Sequence, residues 1–117
     1  IKFDNRYTII GDLDFFVRLS LIKNIAVIQE PLANYRVHSL NLSKKRIDLN
    51  IKELESWVSE KTKNKKFSLI NFSKIHELVK ILKINNNFIE GNKFKVLLGI
   101  LRNPFLVLRF LRSKFFN

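Results

Sequence analysis

Apolar residues fall three and four apart in five stretches of this chain, and each stretch predicts a helix with one buried face. The first covers residues 11–23 through Leu13, Phe16, Val17 and Leu21, with Asn24 as terminator. The second opens on Ser43 as N-cap and runs to about Ser59 through Ile47, Ile51, Leu54, Trp57 and Val58. Ser73 caps a third, carried by Ile75, Leu78, Val79 and Leu82, which breaks at Asn85-Asn86-Asn87. A fourth starts between Glu90 and Lys93 and ends at Leu101. The fifth takes Asn103 as cap and Pro104 as first helical residue, and continues to Phe116. The polar run 60–66 predicts a loop, whereas the runs 25–29 and 32–37 predict two short strands. Glu30-Pro31 separates those strands, because proline has no amide hydrogen to donate. The expected class is an α+β fragment, mainly helical: a helix and two short strands over residues 1–43, then a basic amphipathic helical extension over residues 44–117.

Composition narrows this picture. A hydrophobic content of 46% with 12% aromatics supports a packed core and excludes a disordered tail. Absence of cysteine excludes disulfides and thiolate metal sites and fits a reducing compartment, with the cytoplasm as the expected location. The chain opens on Ile1 and holds no methionine, which reads as the tail end of a longer protein. Neither a secretory signal nor an apolar run of spanning length is present. The net charge of +12 is uneven: residues 1–43 hold five basic and four acidic residues, residues 44–117 hold 17 and six. An AT-rich coding sequence would also enrich lysine, so charge by itself names no partner.

Candidate chemistry lies in the first third. Residues 11–19 read Gly-Asp-Leu-Asp-Phe-Phe-Val-Arg-Leu, and residues 31–43 read Pro-Leu-Ala-Asn-Tyr-Arg-Val-His-Ser-Leu-Asn-Leu-Ser. Asp12 and Asp14 fall in the first turn of the first predicted helix, where free amides and the partial positive charge favour carboxylates. A carboxylate at that place can equally serve as a general base. Arg36 and His38, two apart on a predicted strand, project from one side and suit contact with a leaving diphosphate. Spacing alone does not choose between the structural and the chemical readings.

Taken in order, residues 3–43 resemble the closing part of the catalytic domain of family 2 glycosyltransferases. Phe3-Asp4 with Tyr7 resembles the turn that leads to the acceptor side, and Gly11-Asp12 stands where the family carries a Glu-Asp or Gly-Asp pair. Asp14 and Arg18 match the acidic and basic positions of the helix that follows, while Pro31-Leu32, Tyr35-Arg36-Val37-His38 and Asn41-Leu42-Ser43 match the closing stretch. The resemblance implies that residues 1–43 end a GT-A α/β catalytic domain, with Asp12 as general base. It places His38 near metal and diphosphate, as a candidate metal contact, and Arg36 on that loop or on phosphate, with Asp14, Arg18 and Tyr35 in support. It further implies an inverting single displacement from a nucleotide-sugar donor to a glycan or lipid-linked sugar acceptor, assisted by Mg or Mn, in bacterial surface polysaccharide synthesis. The nucleotide-binding half has no counterpart, since Asp12-Leu13-Asp14 spells Asp-x-Asp on a predicted helix rather than at a strand end. The main metal ligands are therefore expected outside this chain, in a parent enzyme, and the fragment alone is expected to be inactive.

Plainer readings stand beside these. Asp14 and Arg18, four apart, are expected to pair as a solvated salt bridge, His76 to be structural and Trp57 to be a packing anchor. Residues 92–117 interleave six basic residues and no acidic one with large apolar side chains, a pattern that suits an anionic membrane surface or packing against other protein. The competing function is thus a non-catalytic basic helical module on such a surface or on nucleic acid. Nucleic acid is disfavoured: the pI near 10.2 invites it, but no recognition-helix, zinc or stacking pattern accompanies the charge. The expected location is cytoplasmic, peripheral at the inner face of the cell membrane.

Overall fold

A computed structural model describes residues 1–34, 41 and 45–115, and of residues 110, 111 and 113–115 the backbone alone. Its described helices are α1 (Gly11–Ser20), α2 (Ile47–Thr62), α3 (Ser73–Ile89), α4 (Lys93–Arg102) and α5 (Pro104–Phe115), with a 3-10 turn at Lys65–Phe67. They belong to two compact units, Ile1–Ile70 and Asn71–Asn117.

The first unit is organised by α2. Ile47, Ile51, Leu54, Trp57 and Val58 recur at helical spacing on one face, and all are buried together with Ile10 and Phe67. Burial of a large apolar side chain of this kind contributes about 1.5–3 kcal/mol, so this face is the main source of cohesion. The helix closes with Thr62 Oγ1 donating to the Val58 carbonyl at 2.8 Å. Asn64 then accepts from the Lys66 amide at 3.0 Å, opening the 3-10 turn that brings Phe67 into the core. Phe3 stacks on Phe15 of α1 with ring centroids 4.6 Å apart.

In the second unit α3 and α4 form a helical hairpin. The reversal falls at Gly91, whose φ of 73° is costly for residues with a Cβ. Asn92 caps α4 by accepting from the Lys95 amide at 3.1 Å. The helices approach closely at Gly99, where an added Cβ would stand 2.8 Å from Ile84 Cγ1. Asn103 then joins α4 to α5: its side-chain amide donates to the Gly99 carbonyl at 3.1 Å, and its own carbonyl accepts the Val107 amide at 3.1 Å. Arg109 of α5 reaches Glu77 of α3 at 3.0 Å. An apolar cavity of about 210 Å³, lined by Ile81, Ile84, Phe88, Val96, Ile100 and Val107, lies among the three helices. No helix among the described residues is long and apolar enough to cross a membrane.

The expected α+β class is overturned, because no strand occurs among the described residues. Residues 25–29 are irregular and wholly exposed, and so are residues 32–34; positions 35–37 of the second expected strand lie outside the described residues. A strand exists only through hydrogen bonds to a neighbour, so β-branched composition without an adjacent strand leaves an irregular chain. Helix ends differ as well. α1 stops at Ser20, whose Oγ donates to the Val17 carbonyl at 2.8 Å, rather than at residue 23. α2 continues through Glu60 and Lys61 to Thr62, where a loop was expected, because Lys61 is held inside the unit. α3 passes through Asn85-Asn86-Asn87 to Ile89: asparagine costs a helix only a few tenths of a kcal/mol, and Asn86 Nδ2 donates to Glu90 at 2.7 Å. The entry to α3 is capped by Asn71, which accepts the Ser73 amide at 2.9 Å, and not by Ser73 itself. Ser43, the expected cap of α2, lies outside the described residues.

Candidate active site

The two acidic residues in the first turn of α1 have opposite surroundings. Asp14 is wholly buried, and three donors converge on it. Trp57 Nε1 donates to Oδ1 at 2.9 Å, Lys61 Nζ approaches the same oxygen at 3.2 Å, and Arg18 Nε donates to Oδ2 at 2.7 Å. Burial alone would raise the pKa of this carboxyl, but the bonds from Trp57, Arg18 and Lys61 outweigh it and hold the group below the usual carboxylate range. Lys61 shows the converse: burial would lower its pKa, and Glu60 and Asp14 raise it above the usual lysine value. The expected Asp14–Arg18 pair therefore forms, but the prediction that it is solvated is corrected: it is one arm of a buried cluster.

Asp12 lies one residue inside the helix start and is exposed. Its Oδ1 accepts the Leu13 amide at 2.7 Å, so the carboxylate is steered at the helix terminus while keeping an open face to solvent.

The chain leading into α1 is fixed from α2. Glu53, itself buried, receives the Thr8 amide on Oε1 at 2.8 Å and the Ile9 and Ile10 amides on Oε2 at 2.9 and 3.1 Å. Three amides that would otherwise be orphaned ahead of a helix are thus met by one negative charge. In the turn before them the Tyr7 amide donates to the Asp4 carbonyl at 3.2 Å. At the surface Arg6 bridges Asp4 at 2.8 Å and Glu60 at 3.0 Å. Arg6 holds the half-buried Asp4 carboxyl down to about 2, and Lys61 followed by Arg6 lowers Glu60. Burial, followed by the charge of Glu60, raises Tyr7.

Of the expected site residues, Asp12, Asp14 and Arg18 are thus placed on α1, whereas Tyr35, Arg36 and His38 lie outside the described residues. The expected metal contact at His38 goes with them, and among the described residues no group of three His, Cys, Asp or Glu side chains could hold an ion. Sequence reasoning missed Glu53 and Lys61 and gave Trp57 a packing role alone. Their spacing was the available signal: Glu53, Trp57 and Lys61 follow one another at intervals of four and put a polar stripe down the buried face of α2. Ending the helix at Ser59 hid that stripe by leaving Lys61 in a loop. No protein-family model, curated protein or solved structure matches the chain.

Proposed function

We propose that the chain is part of a nucleotide-sugar-dependent glycosyltransferase of family 2 and that Asp12 is its general base. The observation that carries the reading is the division of labour within one helical turn. Asp14 is wholly buried with both oxygens occupied by donors, so no acceptor hydroxyl reaches it; Asp12 has an open carboxylate at the same helix start. The ordered motifs from Phe3 to Ser43 support the same reading. So does the exposed apolar run at Ile22, Val27, Ile28 and Leu32, a surface of the sort that meets further protein.

In this reaction Asp12 removes the proton of the acceptor hydroxyl as its oxygen attacks the anomeric carbon. The bond from that carbon to the nucleoside diphosphate breaks with inversion, and the diphosphate leaves with the electron pair. The resemblance assigns His38 to the neighbourhood of the departing diphosphate, and Arg36 to its loop or to phosphate. The divalent cation implied by the resemblance finds no donor set among the described residues, and no step of the proposal runs through it. The acceptor is a glycan or lipid-linked sugar, and the enzyme works at the cytoplasmic face of a bacterial membrane in surface polysaccharide synthesis.

The test is Asp12→Asn in the full-length enzyme. Transfer should fall by about 10²–10⁴-fold, the usual contribution of a positioned base, with donor binding and folding retained. Undiminished transfer would remove Asp12 from the mechanism.

A further inference from the structure

We propose that the second unit binds the surface of an anionic lipid bilayer through the outer face of α4. At about 100° per residue, Val96, Gly99 and Ile100 share the arc of α4 turned to α3, while Phe94, Leu97 and Leu101 share another arc. Those three are 74%, 55% and 67% exposed, and α4 buries none of its residues. Lys93 borders the outer apolar arc on one side, and Lys95 and Arg102 border it on the other, all exposed. Apolar side chains flanked by long cations suit the boundary of a bilayer, where the rings and leucines enter the acyl region and the cations reach phosphate.

Beside that arc the basic residues converge. Lys80 and Lys83 of α3, with Lys95 and Arg102 of α4, line a cleft of about 380 Å³ that has no acidic residue in its wall. Its size and charge fit a phosphate headgroup. The sign is not offset elsewhere in the unit: Asn71–Asn117 holds nine basic residues and two acidic ones. Glu77 already meets Lys74 and Arg109, and Glu90 meets Asn86. A nucleic acid would use the cleft but leave Phe94, Leu97 and Leu101 in water; a bilayer uses both. The inference rests on the second unit alone and stands independently of the transferase reading.

Sedimentation of the whole chain with vesicles tests it. We expect binding to phosphatidylcholine mixed with phosphatidylglycerol, weakened by salt, and little to phosphatidylcholine alone. Leu97→Asp/Leu101→Asp should weaken that binding at least about tenfold, since carboxylates are excluded from the acyl region. Lys95→Glu/Arg102→Glu should weaken it at least as much, each cation near an anionic surface being worth about fivefold. Both variants should keep the wild-type helix content by circular dichroism, and Phe94→Ser, at the most exposed of the three arc residues, repeats the test if the first does not. Asp12→Asn should bind vesicles as the wild type does, whatever its effect on transfer. Three results would overturn the proposal. One is absence of wild-type binding to the mixed vesicles. A second is binding that Leu97→Asp/Leu101→Asp leaves unchanged, which marks a polyanion surface that duplex DNA would share. The third is a wild-type dimer that this variant renders monomeric with no vesicle binding by either, which marks an interface between copies.

Discussion

Two aspartates separated by one residue differ because their side chains leave the helix on different faces. Asp14 faces α2 and is enclosed by Trp57, Lys61 and Arg18, whereas Asp12 faces water. Removing the charge of Asp14 leaves the buried Lys61 ammonium with one carboxylate partner in place of two, Glu60 remaining at 2.9 Å, so Asp14→Asn should lower stability by about 3 kcal/mol, the lower end for breaking a buried pair because Arg18 still reaches solvent. Asp12→Asn, at an exposed helix start, should cost less than about 1 kcal/mol. Urea unfolding followed by the fluorescence of Trp57, the sole tryptophan, measures both. Equal costs would refute the contrast on which the choice of base rests. Arg18 adds a further tie by donating to the Lys2 carbonyl at 2.8 Å, so the same side chain steadies Asp14 and the strand of chain before the turn.

At the scale of elements, polar anchors and glycines decide where helices begin and how near they come. Glu53→Ala withdraws the acceptor from three amides and should destabilise the first unit by about 1–2 kcal/mol, while Glu53→Gln, which keeps two of the contacts but not the charge, should cost about half as much. Hydrogen exchange at Thr8, Ile9 and Ile10 would show the loss locally; unchanged protection there would refute the capping role. In the second unit Gly99→Ala forces Ile84 aside and should cost about 1–3 kcal/mol, and Gly91→Ala about 1–2 kcal/mol for its positive φ, both read as shifts in thermal midpoint. Much of this architecture was legible. Periodicity located the helices because a buried face leaves its mark every three or four residues, and Asn103-Pro104 marked a start that the structure keeps. The strands were not legible, since the apolar residues at 25–29 record a preference that only a neighbour could satisfy. Nor was the Asp14 cluster: Asp14 and Lys61 lie 47 positions apart, and the four-residue spacing of Glu53, Trp57 and Lys61 marks a shared helix face without saying which carboxylate that face meets. The place of Asp12 at the helix start was legible, because it depends on the first turn alone; its exposure was not, since Asp14 in the same turn is buried.

For the molecule as a whole, the shifted groups set a window of pH in which the first unit is stable. Asp14 and Glu60 hold lower pKa values folded than unfolded, so their contribution is complete above about pH 4.5 and fades as pH falls through the folded values. Lys61 is raised, so its contribution is complete below about pH 10 and fades as pH climbs through its folded value. The urea midpoint reported by Trp57 should accordingly be flat between about pH 5 and about pH 10 and decline on both sides. A second cause acts on the acid side only: protonating ten carboxylates adds to a net charge already at +12, and self-repulsion grows. Salt separates the two. Exposed charges are screened over about 10 Å at 0.1 M, so salt relieves repulsion, but the Asp14 pairs are enclosed and respond little. In salt the acid decline should therefore persist in the wild type and become shallower in Asp14→Asn, which has lost the enclosed carboxylate that binds a proton on unfolding and keeps only the more exposed, salt-screened pairs of Glu60 and Asp4. If the decline disappears in salt, or survives intact in Asp14→Asn, it originates in surface charge rather than in the buried carboxylate, and the cluster is a packing device without a role in acid stability.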